Sequence, residues 1–173
     1  MKKEIPTIKG KNFILREITE ADLPNIYAGL SHPEVITYYG ISFDRPEATK
    51  EQMRWFANPQ QHWWAICSPD NTVFYGAGGL NNLAPEHKKA EIGLWLLPEF
   101  WGRGIMTQAM ELICDYGFNT LQLHRIEGFV ETNNQKCKKA MARSGFQHEG
   151  TMVDCEMKNG KFISVDIYAL LNP

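Results

Sequence analysis

The most constraining stretch of this 173-residue chain lies near its middle. There Leu94-Trp95-Leu96-Leu97 runs into Pro98 and then into Trp101-Gly102-Arg103-Gly104-Ile105-Met106-Thr107. The apolar run reads as a strand. After Gly104 the chain repeats at helical spacing, with Ile105, Ala109, Leu112 and Tyr116 on one face and Met106, Met110 and Ile113 widening it. A strand that turns through two glycines into a helix leaves the first N–H groups of that helix without partners, at the positive end of its dipole. Gly102 and Gly104 carry no β-carbon to hold a bulky anion away from the main chain. Arg103 adds a fixed charge and a planar donor fork. Such a loop suits a phosphate or pyrophosphate.

Two common phosphate loops do not match. The dinucleotide fingerprint needs a third glycine, and Gln108 to Leu112 offers none. The lysine followed by Ser or Thr of the nucleotide-triphosphate loop is missing as well. Gly76-x-Gly78-Gly79 looks like another phosphate loop but falls inside a strand pattern, where glycines more often mark close packing.

Length and a 43% hydrophobic, 22% charged composition suit one ordinary globular domain with a real core. A formal net charge of −2 gives no basic footprint for nucleic acid, and no 18-residue apolar run suggests a membrane span. The start, Met1 to Pro6, lacks the apolar core of a signal peptide, and Cys67, Cys114, Cys137 and Cys155 are widely spaced with no C-x-x-C. These features argue against zinc or any other metal and for reduced thiols in a cytoplasmic protein.

Strands are expected over Phe13–Ile18, Trp63–Cys67, Val73–Leu80, Ala90–Leu97 and Ile126–Thr132, and a final hairpin pairs Gln147–Met157 with Phe162–Leu170 across Asn159-Gly160. Helices are expected after Thr19 to Asp22, over Glu47–Phe56, over Gly104–Phe118 and over Asn134–Ser144. This grouping of strands predicts an α+β fold, with a mixed central sheet of about six to seven strands flanked by helices.

The loop Trp101 to Met106 resembles the pyrophosphate loop of the GNAT superfamily, the acetyl-CoA-dependent N-acetyltransferases, whose pattern is Gln/Arg-x-x-Gly-x-Gly/Ala. Trp101 and Met106 depart from it. The element order, Ala90-Glu91-Ile92-Gly93 before the loop, His124-Arg125-Ile126-Glu127 and Asn134-x-x-Cys137 extend the resemblance over nearly the whole chain. The nearest branch looks like the ribosomal-protein N-terminal acetyltransferases. The resemblance implies a single N-acetyltransferase domain over residues 1–173. It also implies a splayed sheet and acetyl-CoA as cosubstrate, held by Trp101, Gly102, Arg103, Gly104, Ile105, Met106 and Thr107. The backbone of Leu94, Trp95 and Leu96 and the amide of Asn134 would hold the pantetheine arm.

Acyl transfer to an amine needs a base for the ammonium proton, donors for the developing oxyanion and relief for the departing thiolate. Glu91 matches the position where histone-acetyltransferase relatives place a glutamate; its other reading is a strand-edge charge paired with Lys88 or Lys89. Glu127 and Glu131, across the gap, are weaker candidates. Many family members carry an acidic tyrosine where this chain has Met141, which donates nothing. Cys137 is the substitute candidate, its thiol pKa lowered by the helix N-terminus; its other reading is a small buried residue. Lys138 and Lys139 either approach the 3′-phosphate or are solvated. His62, His87 and His124 sit in no catalytic or metal-ligand spacing. Tyr38, Tyr39, Trp63 and Trp64 line an acceptor cleft or pack in the core.

The expected reaction is direct acetyl transfer to a primary amine in a ternary complex. The expected acceptor is a protein N-terminal amine, favoured by its low pKa and by the branch resemblance. The alternative is a small molecule such as an amino sugar, amino acid or polyamine, with Met141 weighing against a polyamine. Loops near residues 31 to 45 and 81 to 88 would select it. A silent acyl-CoA-binding regulator and a protein-interaction module are the alternatives. A homodimer is left open.

Overall fold

A computed structural model describes residues 3–39 and 42–173. The N-terminal third contributes β1 (Ile8–Lys9), β2 (Ile14–Glu17), α1 (Leu23–Leu30), α2 (Pro33–Ile36) and α3 (Thr49–Ala57). Three strands follow, β3 (His62–Cys67), β4 (Phe74–Ala84) and β5 (Lys89–Leu96), and then α4 (Ile105–Asn119). The chain ends with β6 (Arg125–Glu131), α5 (Gln135–Arg143), β7 (Gln147–Lys158) and β8 (Lys161–Leu171).

The strands form one sheet in the order β1-β2-β3-β4-β5-β6-β8-β7. Neighbours run antiparallel except β5 and β6, which are parallel. That pair is joined only at Lys89↔Arg125, Ala90↔Ile126 and Glu91↔Glu127, and beyond it the two strands part. Both faces of the sheet are covered. Trp64, Ile66, Leu80, Leu96 and Ile126 pack toward α4 and α5, whereas Trp63, Ala65, Cys67 and Trp95 pack toward α1 and α3. The fully buried β3 thus serves both cores with alternate side chains.

The sheet has eight strands where six to seven were expected. The extra one, β1, is two residues long, too short to show alternation, and exists only through its pairing with β2. The four-residue α2 was missed for the same reason; Pro33 starts it, and His32 Nδ1 accepts from the Glu34 N–H at 3.2 Å. On α4 the buried face is Ile105, Ala109, Met110, Ile113, Cys114 and Gly117, which leaves Leu112 and Tyr116 half-buried at its flank.

Other local signals hold. Asp22 closes the expected helix start by accepting from the Thr19 N–H at 2.8 Å, and it is locked by a two-pronged pair with Arg16. Asn159 and Gly160 both take positive φ, as a tight hairpin turn of the mirror-image type requires. The β4 glycines are packing residues: a β-carbon on Gly79 would run into the His62 carbonyl, and one on Gly76 into that of Trp95. Among the described residues no helix is long and apolar enough to cross a membrane.

Candidate active site

The loop between β5 and α4 has the geometry its sequence suggests. Gly102 and Gly104 take φ of +74° and +75°, which favours glycine, and Gly104 is the residue from which α4 starts. The Trp101 N–H goes to the Pro98 carbonyl and the Gln108 N–H to that of Gly104. Between them, the N–H groups from Gly102 to Thr107 have no intrachain acceptor among the described residues. No acidic side chain occupies the first turn of α4, and a β-carbon on Gly102 would meet nothing within 4 Å. A run of unpaired donors with open space before it fits a pyrophosphate.

Two loop side chains have partners within the chain. The Trp101 indole donates to the Leu96 carbonyl at 2.8 Å, so this ring stays against the end of β5. Lys136, at the start of α5, lies 5.1 Å over the same ring and brings a cation across the gap. Arg103 bonds the Glu99 carbonyl at 3.0 Å and lies over Phe100. Lys136 escaped the sequence reading, although its position was a signal: a cation in the first turn of a helix opposes the dipole unless an anion joins it.

The parting of β5 and β6 begins at Glu91 and Glu127, which point to the same sheet face because they are register partners. Their carboxylates differ. Glu127 is buried and paired with Lys89 at 2.9 Å and Arg125 at 3.4 Å. Glu91 is half-buried and has no cationic partner among the described residues, because Lys89 is engaged with Glu127. The pairing of Glu91 with Lys88 or Lys89 does not form. A carboxylate free of ion pairs at the head of the gap is able to take a proton directly or through one water.

Past Glu91, Leu94 and Leu96 turn their side chains toward α4, and Trp95 packs among Phe74 and the α1 side. Their apolar side chains are core. The Leu97 N–H bonds the Tyr75 carbonyl, so by the alternation of an antiparallel ladder Trp95 turns its main chain to Ala77 of β4, while Leu94 and Leu96 turn theirs to the gap. The Leu96 carbonyl is already engaged by Trp101, so Leu94 offers the freer backbone, and Trp95, contrary to expectation, does not border the pantetheine path.

Across the gap, Asn134 caps α5 by accepting from the Cys137 N–H at 3.2 Å, which leaves its Nδ2 to donate. Cys137 and Met141 are one helical turn apart, so they share a face of α5. Met141 is buried, with its methyl in the space beside Gly128 and close to Ile92, at the point where the strands separate. Burial pushes the Cys137 thiol up to about 11, the opposite of the lowering expected from a helix N-terminus. The cause is desolvation by the apolar side chains packed against α5. Lys138, partly exposed, pairs with Asp166 at 2.8 Å. His62 is buried and its imidazole pushed down to about 4 by burial, while His87 and His124 are exposed.

On the sheet face that carries Glu91, a cleft of about 660 Å³ runs between α2 with the segment after it, β6 and the β7–β8 hairpin. Tyr38, Tyr39, Phe129, Glu131, Glu156 and Lys158 are among its walls. Residues from the segment near 31 to 45 line this cleft, those at 81 to 88 do not, and the β7–β8 hairpin supplies the other wall. Trp63 and Trp64 are core residues.

A family model for the acetyltransferase (GNAT) domain matches residues 12–147. The chain belongs to the GNAT acetyltransferases. The N-acetyltransferase YoaA of Bacillus subtilis (strain 168) is 31% identical over 173 residues, covering 97% of this chain and 98% of that protein. The ribosomal-protein-serine acetyltransferase of Escherichia coli (strain K12) is 30% identical over 94 residues, 54% of this chain and 52% of that one. The fold is also that of the spermidine N-acetyltransferase from Vibrio cholerae in complex with CoA and spermine. Its TM-score is 0.86 at 21% identity, covering 94% of this chain and 96% of that one. This GNAT protein is an acetyl-CoA-dependent N-acetyltransferase. Acetyl-CoA supplies an acetyl thioester, which an amine attacks once it has lost its proton.

Proposed function

We propose that this GNAT enzyme acetylates a primary amine by direct attack in a ternary complex, and that the acceptor is the N-terminal amine of a protein, of the ribosomal-protein type. The observation that carries the site assignment is the lone carboxylate of Glu91 where β5 and β6 part, on the face that holds the cleft. In this reading the N–H groups of Gly102 to Thr107 hold the pyrophosphate, with Lys136 nearby. The main chain of Leu94 and the Asn134 amide flank the pantetheine arm, and Glu91 accepts the proton of the incoming ammonium.

Ionisation favours the α-amine. With a pKa near 7.7–8.0, roughly a tenth is neutral at pH 7, against below about 0.1% for a lysine near 10.4. The cleft, of about 660 Å³ and walled in part by the hairpin, has room for the end of a peptide. The E. coli relative named for ribosomal-protein serine points the same way. A polyamine acceptor is the second reading, favoured by the two carboxylates of the cleft, Glu131 and Glu156. A thiol-release assay with acetyl-CoA and a panel of N-terminal peptides, polyamines, amino sugars and amino acids tests the assignment. Turnover highest with a peptide is expected, and turnover confined to small amines overturns the peptide reading.

A further inference from the structure

The acceptor cleft already contains a primary ammonium, and it belongs to the chain itself. Lys158, at the end of β7, donates from Nζ to Glu131 Oε2 at 2.8 Å and to the Thr37 carbonyl at 2.5 Å. Both acceptors line the cleft, one from the last residue of β6 and one from just beyond α2. Two oxygens converging on one ammonium define a cation subsite, and Lys158 shows that it is the right size. Glu156, also in the wall, has no cationic partner among the described residues, so the cleft keeps an acidic surplus with Lys158 in place.

The position of this subsite decides what it serves. Glu131 stands four residues, about 13 Å, beyond Glu127, the register partner of Glu91. An amine whose proton goes to Glu91 is therefore out of reach of Glu131. We propose that Glu131 and the Thr37 carbonyl select acceptors carrying a second cationic group, and that Lys158 is a built-in competitor which that group displaces. The proposal rests on the acetyltransferase reading of the cleft and deepens it. The shared chemistry is a cation distal to the reacting amine, whether a basic side chain near a peptide N-terminus or a further ammonium of a polyamine.

The alternative is a purely structural clamp tying the segment after α2 to the hairpin. The two differ in sign, because loss of a clamp weakens acceptor binding whereas loss of a competitor strengthens it. The test compares acceptor KM for the peptide amides Ser-Ala-Arg-Ala and Ser-Ala-Ala-Ala in the wild type, Lys158→Met and Glu131→Gln, with the acetyl-CoA KM as control. In Lys158→Met the KM of the arginine peptide falls about two- to five-fold, the range an ion pair of this kind supports. The KM of the alanine peptide holds, and Glu131→Gln erases the preference. An unchanged arginine-to-alanine ratio in all three proteins, or a rise of both KM values in Lys158→Met, overturns the proposal. Lys158→Gln, which keeps a donor, serves if Lys158→Met lowers the thermal midpoint. Should neither peptide be acetylated, the peptide reading fails by itself and calorimetric titration with spermidine decides the subsite. Binding tightens in Lys158→Met and weakens in Glu131→Gln if the subsite exists, and equal affinity in all three overturns it.

Discussion

The methyl group of Met141 fills the space where a side chain on Gly128 would begin. The two residues touch beside the point at which β5 and β6 separate, with Ile92 near them. Gly128→Ala forces the buried methionine aside and costs about 1–3 kcal/mol, as overpacking of a filled core does. Urea unfolding measures it. The double variant with Met141→Ala makes room for the added methyl, so the two losses are not additive; strict additivity shows that the residues are not coupled.

The glycine loop is tested at Gly104. Its φ of +75° is strained for any β-branched residue, and the added side chain stands before the donors that start α4. Gly104→Val therefore weakens acetyl-CoA binding, measured by calorimetry. Unchanged affinity in a folded variant removes the loop from the cofactor site.

Glu91→Gln keeps the shape of the side chain and loses its ability to accept a proton. Turnover falls about 10²- to 10⁴-fold, the usual contribution of a general base, while acetyl-CoA affinity holds. The acidic limb of the pH–rate profile changes with it. A profile identical to the wild type assigns Glu91 a structural role.

With its thiol pushed up to about 11 by burial, Cys137 carries its proton at neutral pH and is able to donate it. If it relieves the departing thiolate, Cys137→Ser keeps part of the activity and Cys137→Ala loses more, in kcat with little change in cofactor affinity. Wild-type kcat in Cys137→Ala at every pH assigns that proton to water.

Asp166 is buried between β7, β8 and α5. The Lys138 ammonium, with Thr151 and His148, holds its carboxyl down to about 2. Because the folded pKa lies below the ordinary 3.8, the stabilisation is full above about pH 4 and is lost as pH falls through about 2. Asp166→Asn lowers the unfolding midpoint at neutral pH, and the difference from the wild type shrinks over that acid window. A difference independent of pH shows that the ionised carboxylate is not what stabilises the fold.

Much of this molecule was legible in its sequence because the patterns involved are local. The Gly102–Gly104 turn, the α4 period, the Thr19–Asp22 start and the Asn159-Gly160 hairpin each depend on a few consecutive residues, and each forms as read. The two-residue β1 and four-residue α2 left no such trace, since a segment that short is held by its neighbours alone. The roles of charged side chains were decided elsewhere. The family resemblance favoured Glu91 over Glu127 and Glu131, but only the tertiary fold pairs Lys89 with Glu127 and Lys158 with Glu131 while leaving Glu91 without an ion pair among the described residues. The dipole argument for Cys137 was sound but incomplete, because the burial that raises its pKa is set by everything packed against α5. The link from Lys158 to Thr37 spans 121 residues of sequence. Periodicity and turn chemistry act within a few residues, so the sequence by itself determined the longer elements and the glycine turn before α4. Ion pairing and desolvation act through space, so the fold alone decided which carboxylate is free to accept a proton and which cation sits in the cleft.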